Sequence, residues 1–386
     1  MNNLVSLNYL NDYDVQNCEK ALEKALEEIN AKSLFSSKMT VLIKPCLNGP
    51  YSPNLAETTH PNVVMALIKL LTKMGVKCIV ADSWYKKYTT AHLDKIYFET
   101  GLLEVANLTM GDLNHDLSTT EIDIPTGVVT KKIKVLNVVK KVDAIINVGK
   151  LKMDSQFGVI GVANNLFGLV PGDVKNQVLN RLETLADFNN YIIDMVEAFK
   201  DKIVLNIIDA IVALEANKTQ RMLSLLGVSE NMFSLDASLF NILGIDLKNT
   251  IISQANDRGL VSIDKPYELV GEKIEKFVED DFAKYEFNNE SKINKNNLTK
   301  TIYFMNNQKR VKIYSKKCKG CSVCSKICPT GAIKMKYDKN GELYAHVDYK
   351  KCIFCYKCHT ACPYKIVDMI TPCGYKNTDR KISKYN

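Results

Sequence analysis

The sequence predicts an α/β protein: a large N-terminal domain on a mainly parallel sheet, then a small C-terminal α+β domain. Three observations lead there. The chain has 386 residues, too many for one small core. Residues 1–300 alternate strand-like and helix-like segments, the pattern of βαβ units. Eight of the twelve cysteines then fall into two copies of one spacing, between Cys318 and Cys362. The expected domains are residues 1–300 and 306–370, with a linker about 280–305 and a basic tail at 371–386.

The elements follow in order. "MTVLIKP" (Met39–Pro45) is a short apolar run suited to a buried parallel strand. "PNVVMALIKLLTKMG" (Pro61–Gly75) has proline at a helix start, apolar residues at helical spacing and a glycine stop. "VKCIVADS" (Val76–Ser83) is the next strand, and "VDAIINVGK" (Val142–Lys150) and "KIVLNIIDA" (Lys202–Ala210) are later ones. "IDIPTGVVTKKIKV" (Ile122–Val135) reads as an inserted hairpin.

Parallel sheets bind ligands beyond the carboxyl ends of their strands. Polar residues gather there in the sequence. Lys44 ends the second strand, Asp82 and Ser83 end the third, Lys150 and Lys152 follow the fourth, and Asp209 closes a later one. "AETTHP" sets Thr58, Thr59 and His60 just before a helix, where hydroxyls and a nearby lysine suit an anion. The plainer role for Thr59 or His60 is to cap that helix, and both readings stand. "GVANNLFGLVPGDVK" (Gly161–Lys175) joins Asn164, Asn165 and a Pro-Gly turn in a mostly apolar setting, without any phosphate-loop or dinucleotide fingerprint. The candidate ligand site is therefore Lys44, Thr59, Ser83, Asn165 and Asp209, with His60, Asp82, Lys150 and Lys152 as candidates for chemistry.

The cysteines read C-x2-C-x2-C-x3-C-P twice: Cys318, Cys321, Cys324, Cys328, Pro329, then Cys352, Cys355, Cys358, Cys362, Pro363. Three closely spaced thiolates on a tight loop grip one cubane, and the fourth turns away to ligate the other. The first cluster would take Cys318, Cys321, Cys324 and Cys362; the second would take Cys352, Cys355, Cys358 and Cys328. "AIKMKYDKNGELYAHVDY", between the copies, has two strand-like runs joined by Asn340-Gly341, a hairpin signal. About residues 310–370 thus resemble bacterial-type two-cluster ferredoxins, which implies two [4Fe–4S] clusters. Structural zinc favours paired C-x2-C knuckles with a longer loop between them. The second loop has Phe354 where glycine is common, either to exclude water from the cluster or to pack. Cys373, beyond both motifs, is a free thiol, a relay or neither.

Charge is uneven. Residues 301–386 carry 18 Lys and Arg against 5 Asp and Glu, and residues 1–300 carry 33 against 38. Lys309, Arg310, Lys312, Lys316, Lys317 and Lys319 crowd the entrance to the cysteine module. Either they dock an acidic electron donor or acceptor (a ferredoxin, flavodoxin or reductase) or they form a solvated face. No aromatic-and-basic pattern accompanies them, so nucleic acid is not expected. The start, "MNNLVSLNYLNDYD", lacks the regions of a signal peptide. The longest apolar stretch, Lys202–Ala216, is too short and too charged to span a bilayer. A cytoplasmic, anaerobic setting is expected, in which thiols stay reduced.

Several segments together resemble a large prokaryotic family called domain of unknown function 362. They are "LIKPCLN", "ETTHPNVVMALIKLL", "GVKCIVADS", "GKLK", "NNLFGLVPG", "IIDAIVALE" and "SLDASLFNILGI". The resemblance spans nearly all of residues 1–270, and members often carry an added ferredoxin module. It implies architecture more than chemistry, with some similarity to the lactate racemase fold. Lys44, His60, Asp82, Ser83, Asn165, Asp209 and Asp236 stand at matching positions. The departures are Met153-Asp154 for Thr-His, Asn164 for a lysine, Cys46 for an asparagine, and Ala216-Asn217-Lys218 for a Gly-rich segment.

Three functions fit. In the first, electrons pass through the clusters to reduce a small, anionic molecule at the sheet edge. In the second, the clusters serve a partner enzyme docked on the α/β domain, with no catalysis here. In the third, extra thiols such as Cys46, Cys78 and Cys373 make a scaffold for cluster or metal delivery. All three share an oxygen-sensitive iron–sulfur protein.

Overall fold

The computed structural model describes residues 2–85, 88–154, 156–279, 281–282, 284, 290–293, 310–328, 331–349, 351–352 and 357–370. The chain divides into two units, Met1–Lys295 and Asn296–Asn386.

The first unit is built on one sheet. In chain order its strands are β1 (Leu4–Tyr9), β2 (Thr40–Pro45), β3 (Lys77–Val80) and β4 (Gly111–Leu113). A separate antiparallel hairpin, β5 (Thr119–Asp123) and β6 (Lys132–Leu136), follows where an insertion was expected. Then come β7 (Ala144–Asp154), β8 (Gly158–Ile160), β9 (Ile203–Leu214), β10 (Gln220–Ser229) and β11 (Glu268–Gly271). The sheet order is β11-β1-β10-β9-β7-β2-β3-β4, with β8 paired to β7. The run from β9 to β4 is parallel, whereas β10 lies antiparallel to both β9 and β1.

The helices that matter for the site are α1 (Val15–Glu28), α2 (Pro61–Lys73), α3 (Thr90–Glu99), α4 (Leu102–Leu108), α5 (Val162–Asn165), α6 (Gly172–Arg181), α7 (Leu185–Phe199) and α8 (Met232–Ile242). Helix α2 forms for the reasons its sequence gives. Pro61 sits at the first turn, the His60 side chain accepts from Asn62 N, and Val63, Val64, Leu67, Ile68 and Leu71 are buried.

The strand ends differ from the sequence expectation. Lys150, Lys152 and Asp209 lie inside β7 and β9, not beyond them. The reason is pairing across strands. Lys150 and Asp209 are register neighbours, and their charges meet at 3.0 Å. A polar pair of this kind lets both strands continue through a buried region.

A second polar line crosses the sheet. Lys44 on β2 stands beside Asn147 on β7, Asn147 beside Asn206 on β9, and Asn206 beside Ser229 on β10. All four are buried. Asn147 Nδ2 donates to Asn206 Oδ1 at 3.3 Å, and Asn206 Nδ2 donates to Glu230 O at 3.0 Å. A one-residue slip of any strand would turn its member to the other face.

The second unit orders its elements as β12 (Arg310–Ile313), α9 (Val323–Lys326), β13 (Ile333–Tyr337), β14 (Leu343–Val347), α10 (Lys357–Ala361) and β15 (Val367–Ile370). Strand–helix–strand therefore occurs twice, once per cysteine motif. The first and last strands pair antiparallel, and β13–β14 is the expected hairpin, with Gly341 at φ 77° in its turn. Val311, Ile333, Ala345, Val347 and Val367 form the core together with Cys324 and Cys358. Among the described residues no helix is long and apolar enough to cross a membrane.

Lys150→Met strands the Asp209 carboxylate and lowers the unfolding free energy by about 3–5 kcal/mol. Adding Asp209→Asn recovers part of that loss. Denaturant titration of anaerobic protein reads both. A loss below about 1 kcal/mol, the worth of an exposed pair, would contradict the account.

Candidate functional site

The site grows from two buried charge nodes. At the first, the Lys44 ammonium uses all three of its donors: Asp82 Oδ1 at 3.1 Å, Asn165 Oδ1 at 2.9 Å and Pro45 O at 3.0 Å. Asp82 Oδ2 accepts from Leu47 N at 2.6 Å, and Oδ1 accepts from Ser83 N. Asn165 Nδ2 returns to Asn147 Oδ1 at 2.8 Å, tying α5 to the polar line of the sheet. Gly168 explains part of "NNLFGLVPG". A Cβ there would overlap Asp82 Oδ1 and Lys44 Nζ. Gly161 similarly leaves room for Asp236, whose carboxylate caps Val162 N and Ala163 N at 2.7 and 2.9 Å. Burial pushes the Asp236 pKa up to about 7.

The second node holds Lys150, Asp209, Tyr13 and His60. Lys150 Nζ donates to the Tyr13 hydroxyl at 2.9 Å, and that hydroxyl donates to Asp209 Oδ1 at 2.9 Å. Asp209 Oδ2 accepts from His60 N at 2.9 Å. The His60 ring stacks on Tyr13 at 3.8 Å, and its Nδ1 is engaged by Asn62 N. Burial lowers the His60 pKa to about 4. Thr59 Oγ1 donates to Val148 O and accepts from Cys46 N, both at 2.8 Å. These groups hold β2, β7 and β9 to the start of α2.

Between the carboxyl ends of β2, β3 and β7 lies a partly open pocket. Asp82, Ser83, Lys152 and Asn165 line it. Lys150, His60, Thr59 and Asp209 are not among its lining residues. Its carboxylates are occupied: Asp82 by Lys44 and two amides, Asp154 Oδ1 by Gln156 N and Phe157 N at 2.8 and 3.1 Å. Its cations are Lys152 and Lys175. Lys152 Nζ donates to Glu57 O at 2.7 Å and lies 3.6 Å from Glu57 Oε2. Burial opposes its charge, but Cys46, Glu57 and Asp154 together hold its pKa above the ordinary lysine value.

Lys175, on α6, was not singled out by the sequence. Its ammonium donates to Ser83 O and faces the rings of Tyr85 and Phe167 at 5.1 and 5.7 Å. Among the described residues no carboxylate pairs with it. Burial, with Lys44 adding to it against the pull of Asp82, lowers its pKa to about 7. The signal was a lysine at the end of an apolar loop, three residues past Pro171-Gly172. Cys46 also lines the pocket.

In the second unit a separate small cavity is lined by Cys318, Cys321, Cys324 and Cys362. Three come from the first motif and the last from the second. Four cysteines from two motif copies lining one cavity match in number and type the ligands of one iron–sulfur cubane. Cys328, Cys352 and Cys358 belong to the same core, and Cys328 Sγ accepts from Ala332 N at 3.2 Å. Pro329, Phe354, Cys355 and Cys373 lie outside the described residues, as do Lys309 and the side chain of Arg310. No disulfide joins the described cysteines. Lys312, Lys316, Lys317 and Lys319 are exposed around the first motif.

His60 sets a pH dependence. Its folded pKa is about 4, below the ordinary value of 6.5, so it stays neutral where the unfolded chain takes a proton. Stability is intact above pH 6.5 and is lost as pH falls toward 4. His60→Asn keeps a cap acceptor and removes the titration. At pH 5, relative to pH 7, wild type should lose up to about 2 kcal/mol more than this variant. Parallel pH–stability curves would contradict the assignment.

Comparison with known proteins agrees with both units. Residues 317–366 match the model of a 4Fe-4S dicluster domain, a module of iron–sulfur electron transfer. The thylakoid-associated protein sll1697 of Synechocystis sp. is 27% identical over 249 residues, covering 63% of this chain and 75% of that protein. The lactate racemase apoprotein of Thermoanaerobacterium thermosaccharolyticum is 15% identical with a TM-score of 0.37, over 58% of this chain and 53% of that one, a likeness too weak to transfer a reaction. Residues 41–241 match the family model described as a domain of unknown function (DUF362), and the chain belongs to that family.

Proposed function

We propose that this chain is a cytoplasmic iron–sulfur redox protein that passes single low-potential electrons through two [4Fe–4S] clusters to a small anion held by the α/β domain. It is then a ferredoxin-type reductase. The observation that carries the reading is the cavity whose four thiols come from both motif copies. Cys318, Cys321, Cys324 and Cys362 hold one cluster; Cys352, Cys355, Cys358 and Cys328 hold the other. When bound, the clusters supply one-electron reduction.

The α/β residues do the rest. Lys152 and Lys175 bind the anion in the pocket. Lys175, with its pKa near 7, exchanges a proton there at neutral pH. Phe157, Phe167 and Phe188 give the pocket its apolar walls. Asp82 pairs with Lys44 and accepts from Leu47 N and Ser83 N, so it positions those residues. Lys150 and His60 hold Tyr13 and Asp209 behind the pocket wall.

A second reading is a carrier whose α/β domain docks a partner enzyme. The replacement of Thr-His and lysine in the family pattern by Met153, Asp154 and Asn164 favours it. So do the exposed Lys312, Lys316, Lys317 and Lys319, which suit an acidic electron donor or acceptor.

Two measurements test this. Cys318→Ala and Cys362→Ala should abolish the same cluster's EPR signal and leave roughly half the iron. Loss of different clusters would break the ligand assignment. Chemically reduced protein should then be mixed anaerobically with small carboxylates and phosphates. Reoxidation by one of them, lost in Lys175→Met with clusters intact, supports the reductase. Reoxidation by an acidic protein partner and by none of the anions selects the carrier.

A further inference from the structure

The anion pocket has a neighbour. A second cavity is lined by Met153, Val159, Leu185, Phe240 and Ile251, among others, and is mostly apolar. The two cavities share Phe157 and Asn164 in their walls. Phe157 stacks on Phe188 at 4.3 Å and 28°, so the shared wall is itself an aromatic surface. Asn164 Nδ2 donates to Val159 O at 3.2 Å, which fixes the amide. Its Oδ1 is buried and meets no donor among the described residues. A buried acceptor without a donor is costly, and a ligand that supplies one removes that cost.

Charge decides the other end. Of the pocket's carboxylates, Asp82 is paired with Lys44 and Asp154 Oδ1 takes two amides, whereas among the described residues Lys175 forms no ion pair and Lys152 lies 3.6 Å from Glu57 Oε2. The polar cavity offers ammonium groups to an anion, and the second offers apolar walls to hydrocarbon.

We propose that the site takes an organic acid with an apolar body. Its anionic end lies at Lys152 and Lys175, its aromatic or branched aliphatic body passes Phe157 into the second cavity, and a hydroxyl or N–H group meets Asn164 Oδ1. The proposal rests on the anion reading above and adds the other half of the ligand. Small acids fill only the polar cavity. Neutral apolar molecules leave Lys175 without a counter-charge.

The test compares acetate, phenylacetate and neutral phenylacetamide by titration calorimetry on the full chain with its clusters. Burying the phenyl group should make phenylacetate roughly 10- to 100-fold tighter than acetate. Phenylacetamide should bind more weakly than phenylacetate. Val159→Phe, which puts a ring into the apolar cavity from the half-exposed strand β8, should abolish the phenyl gain and leave acetate unchanged. The ligand series needs no variant, so misfolding of Val159→Phe does not remove the test. Equal affinity for acetate and phenylacetate overturns the proposal but leaves the anion reading. A phenyl gain that survives in folded Val159→Phe also overturns it, because the body then lies elsewhere. Binding of neither acid overturns the anion reading as well.

Discussion

Two lysines buried to their tips set the terms for the α/β domain. Lys44 and Lys150 are each at most 1% exposed. Taking such a charge out of water costs several kcal/mol unless a carboxylate and further hydrogen-bond partners receive it. Asp82 and Asp209 do so, at 3.1 and 3.0 Å. Much else follows. Register between β7 and β9 is fixed where Lys150 faces Asp209. Asn165 must sit over β2, and residue 168 must lack a Cβ, because the Lys44–Asp82 pair fills that space. Tyr13, before α1, is drawn to the same node as the start of α2.

This pairing also decides what is left for a ligand. Several of the polar residues at the strand ends are consumed in holding one another. Of the cations near the pocket, Lys44 and Lys150 are neutralised, Lys152 is partly engaged by Glu57, and Lys175 meets, among the described residues, a backbone carbonyl and two aromatic faces. The chemistry open to the domain is therefore set by one poorly neutralised amine beside aromatic walls, not by a cluster of catalytic carboxylates. That suits binding and proton exchange.

Local signals were legible in the sequence and distant ones were not. The Pro61 helix start and the Asn340-Gly341 turn each act within a few residues, and both formed as expected. The cysteine spacing carried the module because ligand geometry is encoded in short intervals. The ends of β7 and β9 were misplaced because Lys150 and Asp209 look like strand terminators until they meet across the sheet. The antiparallel strand β10 and its neighbours β1 and β11 were not separately visible, since their pairing is set by long-range contacts. Lys150 and His60, expected at the ligand, lie outside the pocket lining. Lys175 is part of it, although it is remote in sequence from Lys44 and Asp82 and follows no motif.

Native mass spectrometry of protein purified without oxygen tests the central claim most directly. The account predicts the iron and sulfide mass of two cubane clusters, plus a small acidic molecule that is retained by wild type and lost from Lys175→Met. Zinc in place of iron and sulfide, or a ligand retained equally without Lys175, would contradict it.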